Sequence, residues 1–174
     1  MFLFDLLFGN RKKNESSSPI TTGGKRPTNA PGTQIRHDPE LIVQLKDDHV
    51  LLLEIFTAIG AAAKAGDYTQ VQQRLGHFRT VLMDHLLKEN VRLYVYLEHM
   101  MANDAPSYQL IREFRHEMDT IGRVVVDFLV KYKAISTQPE LCIAFPGELA
   151  AIGEALTARI QREEGTLYPM YALP

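Results

Sequence analysis

The stretch Leu82-Met83-Asp84-His85-Leu86-Leu87-Lys88-Glu89-Asn90-Val91-Arg92-Leu93-Tyr94-Val95-Tyr96 decides how the chain reads. His85 and Glu89 stand four residues apart, so on a helix they lie one turn above the other on the same face. That face is the apolar one: Val71, Leu75, Phe78, Leu82, His85, Glu89, Leu93 and Tyr96 step by threes and fours. A helix that buries this stripe buries an imidazole and a carboxylate with it. Carboxylates are almost never fully buried without a partner. Something positive must therefore meet Glu89, and a metal ion and an arginine are the two candidates.

Working outward, Asp67 with Gln70 three residues on resembles a capping box that opens this helix, which is expected to run to about Met101. Before it, Asp38-Pro39 reads as an N-cap followed by proline at the first helical position. The stripe Leu41, Leu45, His49, Leu52, Leu53, Phe56 and Ile59 follows, ending near Gly66. A third helix is expected from Ser107, with the stripe Ile111, Phe114, Met118, Ile121, Val125, Phe128 and Tyr132. Residues 134–145 read as a connection. Pro146 is expected to start the fourth helix, whose stripe is Leu149, Ile152, Leu156, Arg159, Glu163, Leu167 and Met170, with Gly165 and Pro169 weakening its last turns. Four amphipathic helices with short connections and no alternating strand pattern describe an all-α, antiparallel up-down-up-down four-helix bundle. The second and fourth helices share a form: His85 or Arg159, a Glu four later, then Leu-Tyr.

The chain of 174 residues is long enough for one domain with a sizeable core. Residues 37–174 are assigned to the bundle and 1–36 to a flexible tail, whose Ser-, Thr-, Gly- and Pro-rich linker is expected to be disordered. The tail opens on an apolar run, Phe2 to Phe8, expected to dock on the bundle or on a partner. Its charges, Arg11, Lys12 and Lys13, follow that run instead of preceding it as in a secretory signal, so a cytoplasmic location is expected. No unbroken apolar run approaches the ~20 residues of a membrane span, and none is expected. Charge is asymmetric: Arg11, Lys12, Lys13, Lys25, Arg26 and Arg36 face one acid, Glu15, in the linker, while the remainder is acidic. An acidic globule is a poor binder of nucleic acid, which needs clustered Lys and Arg at phosphates. A single cysteine, Cys142, excludes an internal disulfide and a cysteine-built zinc site. Neither an activated Ser or Cys constellation nor a Gly-rich phosphate loop is visible, so an enzyme is not expected.

Projected inward, the stripes bring together His49, His85, Glu89, Arg159 and Glu163. Nitrogen and carboxylate donors from facing helices are what a transition-metal site in a bundle core requires. Residues 40–171 resemble the hemerythrin-like, or HHE cation-binding, family, most specifically in His85 to Tyr94 and in Arg159 to Tyr168 with Pro169. That family places a His on the first helix, His-x-x-x-Glu on the second, a His on the third and His-x-x-x-Glu on the fourth, around a non-haem di-iron centre. The resemblance implies metal ligands at His49, His85, Glu89 and Glu163, with iron as the cofactor and sensing, storage or small-ligand binding as the role. Two family histidines have no counterpart: the fourth-helix position is Arg159, and on the third helix His116 falls on the polar face, with Met118 inward. One ion is therefore expected in preference to two, with the Arg159 guanidinium standing where the second cation would be. Asp48 and Glu164 are read as solvated neighbours, Asp48 also as a possible orienter of an imidazole. Ile152-Gly153-Glu154-Ala155-Leu156, continuing to Arg159 and Glu163, is similar to the last helix of the Rsd/AlgQ family of sigma-factor regulators. That likeness implies an alternative, a metal-free interaction module whose core is held by ionic hydrogen bonds and whose partner is a protein.

Overall fold

A computed structural model describes residues 29–172. The apolar run Phe2 to Phe8 and the linker up to residue 28 lie outside the described residues. Helix α1 spans Leu41–Lys64 and α2 begins at Tyr68–Lys88, continuing through a π-helical stretch, Glu89–Tyr94, into Val95–Met100. Helix α3 spans Ala105–Lys131, and α4 runs Leu141–Arg162, through a second π-helical stretch, Glu163–Leu167, into Tyr168–Ala172. Each helix packs on its two neighbours around a closed square, α1 against α2, α2 against α3, α3 against α4 and α4 against α1. This is the expected antiparallel bundle.

Local signals set most of the boundaries. Gly66, at φ 73°, takes the left-handed conformation that ends α1. Its N–H donates to Ala63 O and that of Asp67 to Ala62 O, so the orphan carbonyls of the last turn are satisfied. The Asp67 carboxylate then accepts from Gln70 N at 2.9 Å and caps α2. Asp38 accepts from Glu40 N at 3.0 Å, although the helical hydrogen bonding it introduces settles only at Leu41. Helix α3 starts at Ala105, two residues before the expected Ser107, whose hydroxyl instead donates to Asp104.

The start of α4 differs more. It begins at Leu141, so Pro146 lies inside the helix and not at its head. Proline there removes one intrahelical bond, but starting early seats Phe145 in the core against Phe128 and Tyr132. Burying a whole aromatic ring outweighs one lost hydrogen bond. From Leu141 to Tyr171 the helix is long and apolar enough to cross a membrane by length and composition. Within the bundle its large apolar residues Phe145, Leu149 and Ile152 are buried, its outer face mixes alanines (Ala144, Ala150, Ala151, Ala155) with Ile143, Pro146 and Glu154, and its last third carries Arg159 and Glu163 inward.

Residues 29–36, assigned by composition to the tail, lie against the bundle: Asn29 bridges Arg36, Thr33 Oγ1 donates to Ala30 O, and Ala30 is buried. His37 stacks on Tyr171 with ring centroids 4.6 Å apart. His77, His99 and His116 are exposed.

Two apolar layers fill the bundle. One, centred on Phe56, Phe78, Val125, Phe128 and Ile152, occupies the end nearer the α1–α2 turn; the other holds Leu45, Leu93, Tyr94, Phe114, Met118, Leu167 and Tyr168. Helices α1 and α4 approach closely in the first, because a Cβ at Gly153 would lie 2.8 Å from Phe56 Cε1. Gly153→Ala is accordingly expected to destabilise the fold by about 1–3 kcal/mol through overpacking. Gly147→Ala, on the same helix with nothing within 4 Å of the added atom, is expected to stabilise it by about 0.5–1 kcal/mol. Denaturant unfolding of the two variants checks the opposite signs.

Candidate metal centre

Between the two apolar layers lies a layer of ionisable side chains: His49 from α1, His85 and Glu89 from α2, Arg159 and Glu163 from α4, all buried. The third helix lines the cavity beside it with Met118, Ile121, Gly122 and Val125, and reaches the layer's edge through Glu117, which accepts from Arg159. His116 points outward and Met118 inward, as the stripes predict.

The two imidazoles are arranged alike. His49 Nε2 lies 3.2 Å from Glu163 Oε2, while its Nδ1 is 2.9 Å from Glu164 Oε1. His85 Nε2 lies 3.8 Å from Glu89 Oε2, and its Nδ1 is 3.5 Å from Asp48 Oδ2, which is itself held by Lys88 Nζ at 2.9 Å. Each ring thus turns Nε2 to an inner carboxylate and rests Nδ1 on an outer one. A carboxylate behind Nδ1 fixes the tautomer and aim of a metal-binding histidine. Asp48 stands behind the His85 ring without a hydrogen bond to it, and Glu164, expected only to be solvated, hydrogen-bonds the His49 ring.

Arg159 neutralises the other side of the layer. Its Nε donates to Glu163 Oε1 at 2.5 Å, Nη2 to Tyr94 Oη at 2.6 Å and Nη1 to Glu117 Oε2 at 3.3 Å, and its guanidinium lies over the Phe114 ring. Glu163 is therefore met by an arginine and an imidazole together. Glu89 is less well served. Its Oε1 accepts from Tyr168 Oη at 3.0 Å, but Oε2 is buried without a hydrogen-bond partner, and so is His85 Nδ1.

The electrostatics follow this division. Burial pushes the Glu89 carboxyl up, the charge of Glu163 pushes it further, and Arg159 and His49 pull against both, leaving it at about 8. Burial acts to raise Glu163 too, but the hydrogen bond from His49 and the charge of Arg159 hold it below the usual carboxylate range. For His49, burial is outweighed by Glu163 and Glu164 on its two nitrogens, which carry it up to about 9. For His85 burial wins over Asp48 and keeps the ring neutral, the form that binds metal.

Two tyrosines complete the layer. Tyr94 and Tyr168 are fully buried, with their hydroxyls bonded to Arg159 and to Glu89. The π-helical stretches account for this. Each begins at an inner glutamate, and the wider turn brings residues four and five positions on to nearly the same direction, so Leu93 with Tyr94, and Leu167 with Tyr168, are buried as pairs. The repeated Glu-x-x-x-Leu-Tyr was the signal of it in the sequence.

The donor set suits a cation. Ligand atoms of His49, His85 and Glu163 lie within 4.8 Å of one another, and Glu89 Oε2 faces His85 from the adjoining side. Two ligands about 2.1 Å from one ion are separated by at most about 4.2 Å, so a small inward movement closes this set of three, with Glu89 beside it and outside it. Beside these groups lies a cavity of about 40 Å³ whose remaining wall is apolar, including Leu52, Phe56, Leu82, Met118 and Val125.

Fold and donor set together describe a four-helix bundle with a candidate cation site between its apolar layers. The hemerythrin HHE cation binding domain matches residues 40–171, more than half of the chain, and the protein belongs to that family. Comparison with curated proteins and with solved structures finds no match.

In the metal-free protein, both raised groups favour the protonated state in the fold. His49, moved from 6.5 to about 9, adds stability that is complete below 6.5 and lost as pH rises through 9; Glu89, moved from 4.5 to about 8, acts in the same direction. Unfolding of chelator-treated protein is expected to become easier from pH 6.5 to 9, as a falling denaturant midpoint. Arg159→Ala, which strips Glu163 of its guanidinium, is expected to cost about 3–5 kcal/mol in the same measurement.

Proposed function

We propose that this chain holds a single iron ion through His49, His85, Glu89 and Glu163, and that it senses, stores or carries a small ligand in the cytoplasm instead of catalysing a reaction. The observation that carries this reading is the matched arrangement of the two imidazoles, each with Nε2 toward an inner carboxylate and an outer carboxylate behind Nδ1, hydrogen-bonded at His49 and 3.5 Å away at His85. Such backing serves a metal-binding ring, whereas a histidine that only fills a core needs one partner. Imidazole and carboxylate donors suit iron among the first-row metals, and the family resemblance points the same way.

Arg159 supports one ion over two. Its guanidinium, in a bidentate-capable fork that is always charged, already neutralises Glu163 and occupies the helix position where the family pattern has a histidine. The chain's own residues then divide the work: His49 and His85 bind, Asp48 and Glu164 hold the rings in register, Glu89 and Glu163 supply charge, and the apolar cavity wall limits water. When bound, the ion supplies an electrophilic centre at which a small molecule in the cavity is held. The metal-free reading draws support from the Arg159–Glu163 pair, which needs no ion. It leaves Glu89 with an unpartnered oxygen, and for that reason it ranks second.

Elemental analysis of protein purified without added metal is the test. One iron per chain is expected, lost in His85→Ala and Glu89→Ala and released as pH falls below about 6, where imidazoles protonate. Metal-free protein that also fails to take up iron refutes the proposal, and two ions per chain refute the role given to Arg159.

A further inference from the structure

We infer that Tyr168 is itself a ligand, a phenolate that joins the imidazoles and carboxylates at the ion; this rests on the iron-binding reading above. The family pattern of histidines and carboxylates has no place for it, and its position is what assigns it. The Tyr168 hydroxyl is buried on α4, 3.0 Å from Glu89 Oε1 and 3.2 Å from His49 Nε2. Both neighbours belong to the proposed ligand set, one on α2 and one on α1. The hydroxyl therefore sits within that set and not behind it.

The spacings match those of ligands around one ion as well as those of hydrogen bonds. Adjacent ligands of a six-coordinate ion with bonds of about 2.1 Å are about 3.0 Å apart. The three contacts that run in sequence, Glu163 Oε2 to His49 Nε2, His49 Nε2 to Tyr168 Oη and Tyr168 Oη to Glu89 Oε1, measure 3.2, 3.2 and 3.0 Å. Four donor atoms from three helices thus follow one another at the edge length of a single coordination sphere. Tyr94, the equivalent residue on α2, serves as a contrast. Its hydroxyl accepts from Arg159 Nη2, so it faces the guanidinium that replaces the second cation.

Ligation breaks the phenol O–H bond. The oxygen keeps the electron pair and donates it to the ion, and the proton passes to solvent. No change of oxidation state is involved. A phenolate bound to ferric iron has a charge-transfer absorption in the visible range, which imidazole and carboxylate ligands do not produce.

The experiment loads the full chain with ferric iron and records iron content and visible spectrum for wild type, Tyr168→Phe and Tyr94→Phe. Iron-loaded wild type and Tyr94→Phe are expected to show the band, and Tyr168→Phe to lose it at unchanged iron content. A band that survives in Tyr168→Phe, disappears in Tyr94→Phe, or is absent from iron-loaded wild type overturns the assignment while leaving the iron site standing. If Tyr168→Phe loses its iron as well, resonance Raman of the wild type decides: tyrosine ring modes enhanced in the band support ligation, and their absence overturns it. Wild type without iron overturns both this inference and the reading beneath it, and elemental analysis tells that case apart.

Discussion

Two carboxylates buried between apolar layers impose the condition that everything else in this bundle meets. In an interior of low polarity neither can stay charged alone. The protein answers differently for each. Glu163 lies between a guanidinium and an imidazole and stays ionised. Glu89 receives one hydroxyl, keeps one bare oxygen, and must either hold a proton or meet a cation. The contrast separates a carboxylate whose charge is met within the layer from one that is only half partnered.

The layer is supported from outside as much as from within. Lys88 holds Asp48, Asp48 backs His85, and Glu164 backs His49, so a chain of contacts leads from the surface to each inner ring. On the opposite side Glu117 joins Arg159 to Arg162, and both arginines lie on the Phe114 ring. Such supports limit rotation of the inner groups, which is what a site assembled from three helices needs if its donors are to stay in register.

The same layer shapes the helices that carry it. Helices α2 and α4 each widen into a π-helical stretch at their inner glutamate, and each thereby buries a Leu-Tyr pair that a regular α-helix would split between core and surface. π-stretches weaken backbone hydrogen bonding and tend to mark functional positions. Here they bring a tyrosine hydroxyl to each side of the layer, one to the arginine and one to the glutamate. The two halves of the chain repeat a device, and the exchange of His85 for Arg159 between them is what makes the layer unequal.

Much of this was legible in the chain. The periodicity of threes and fours placed His49, His85, Glu89, Arg159 and Glu163 on inward stripes, because a helix has only one direction for its apolar face. The caps at Asp67 and Gly66 located a turn for the same local reason. Periodicity also separated His116 from Met118 on α3. Its reach ended where helix geometry departed from 3.6 residues per turn: Tyr94 and Tyr168 fall off the stripes at that period and lie inside only because the helices widen. Composition likewise assigned residues 29–36 to the tail and Pro146 to the head of a helix, since the groove that takes Ala30 and the core that takes Phe145 exist only after assembly. The sequence by itself determined the four-helix bundle and the residues turned toward its axis. Only the tertiary structure decided which atoms of those residues meet, that Asp48 and Glu164 stand behind the imidazoles, and that Glu163 is satisfied while Glu89 is not. Pairings between helices depend on the rotation and depth at which they pack, and no spacing along one chain segment records either.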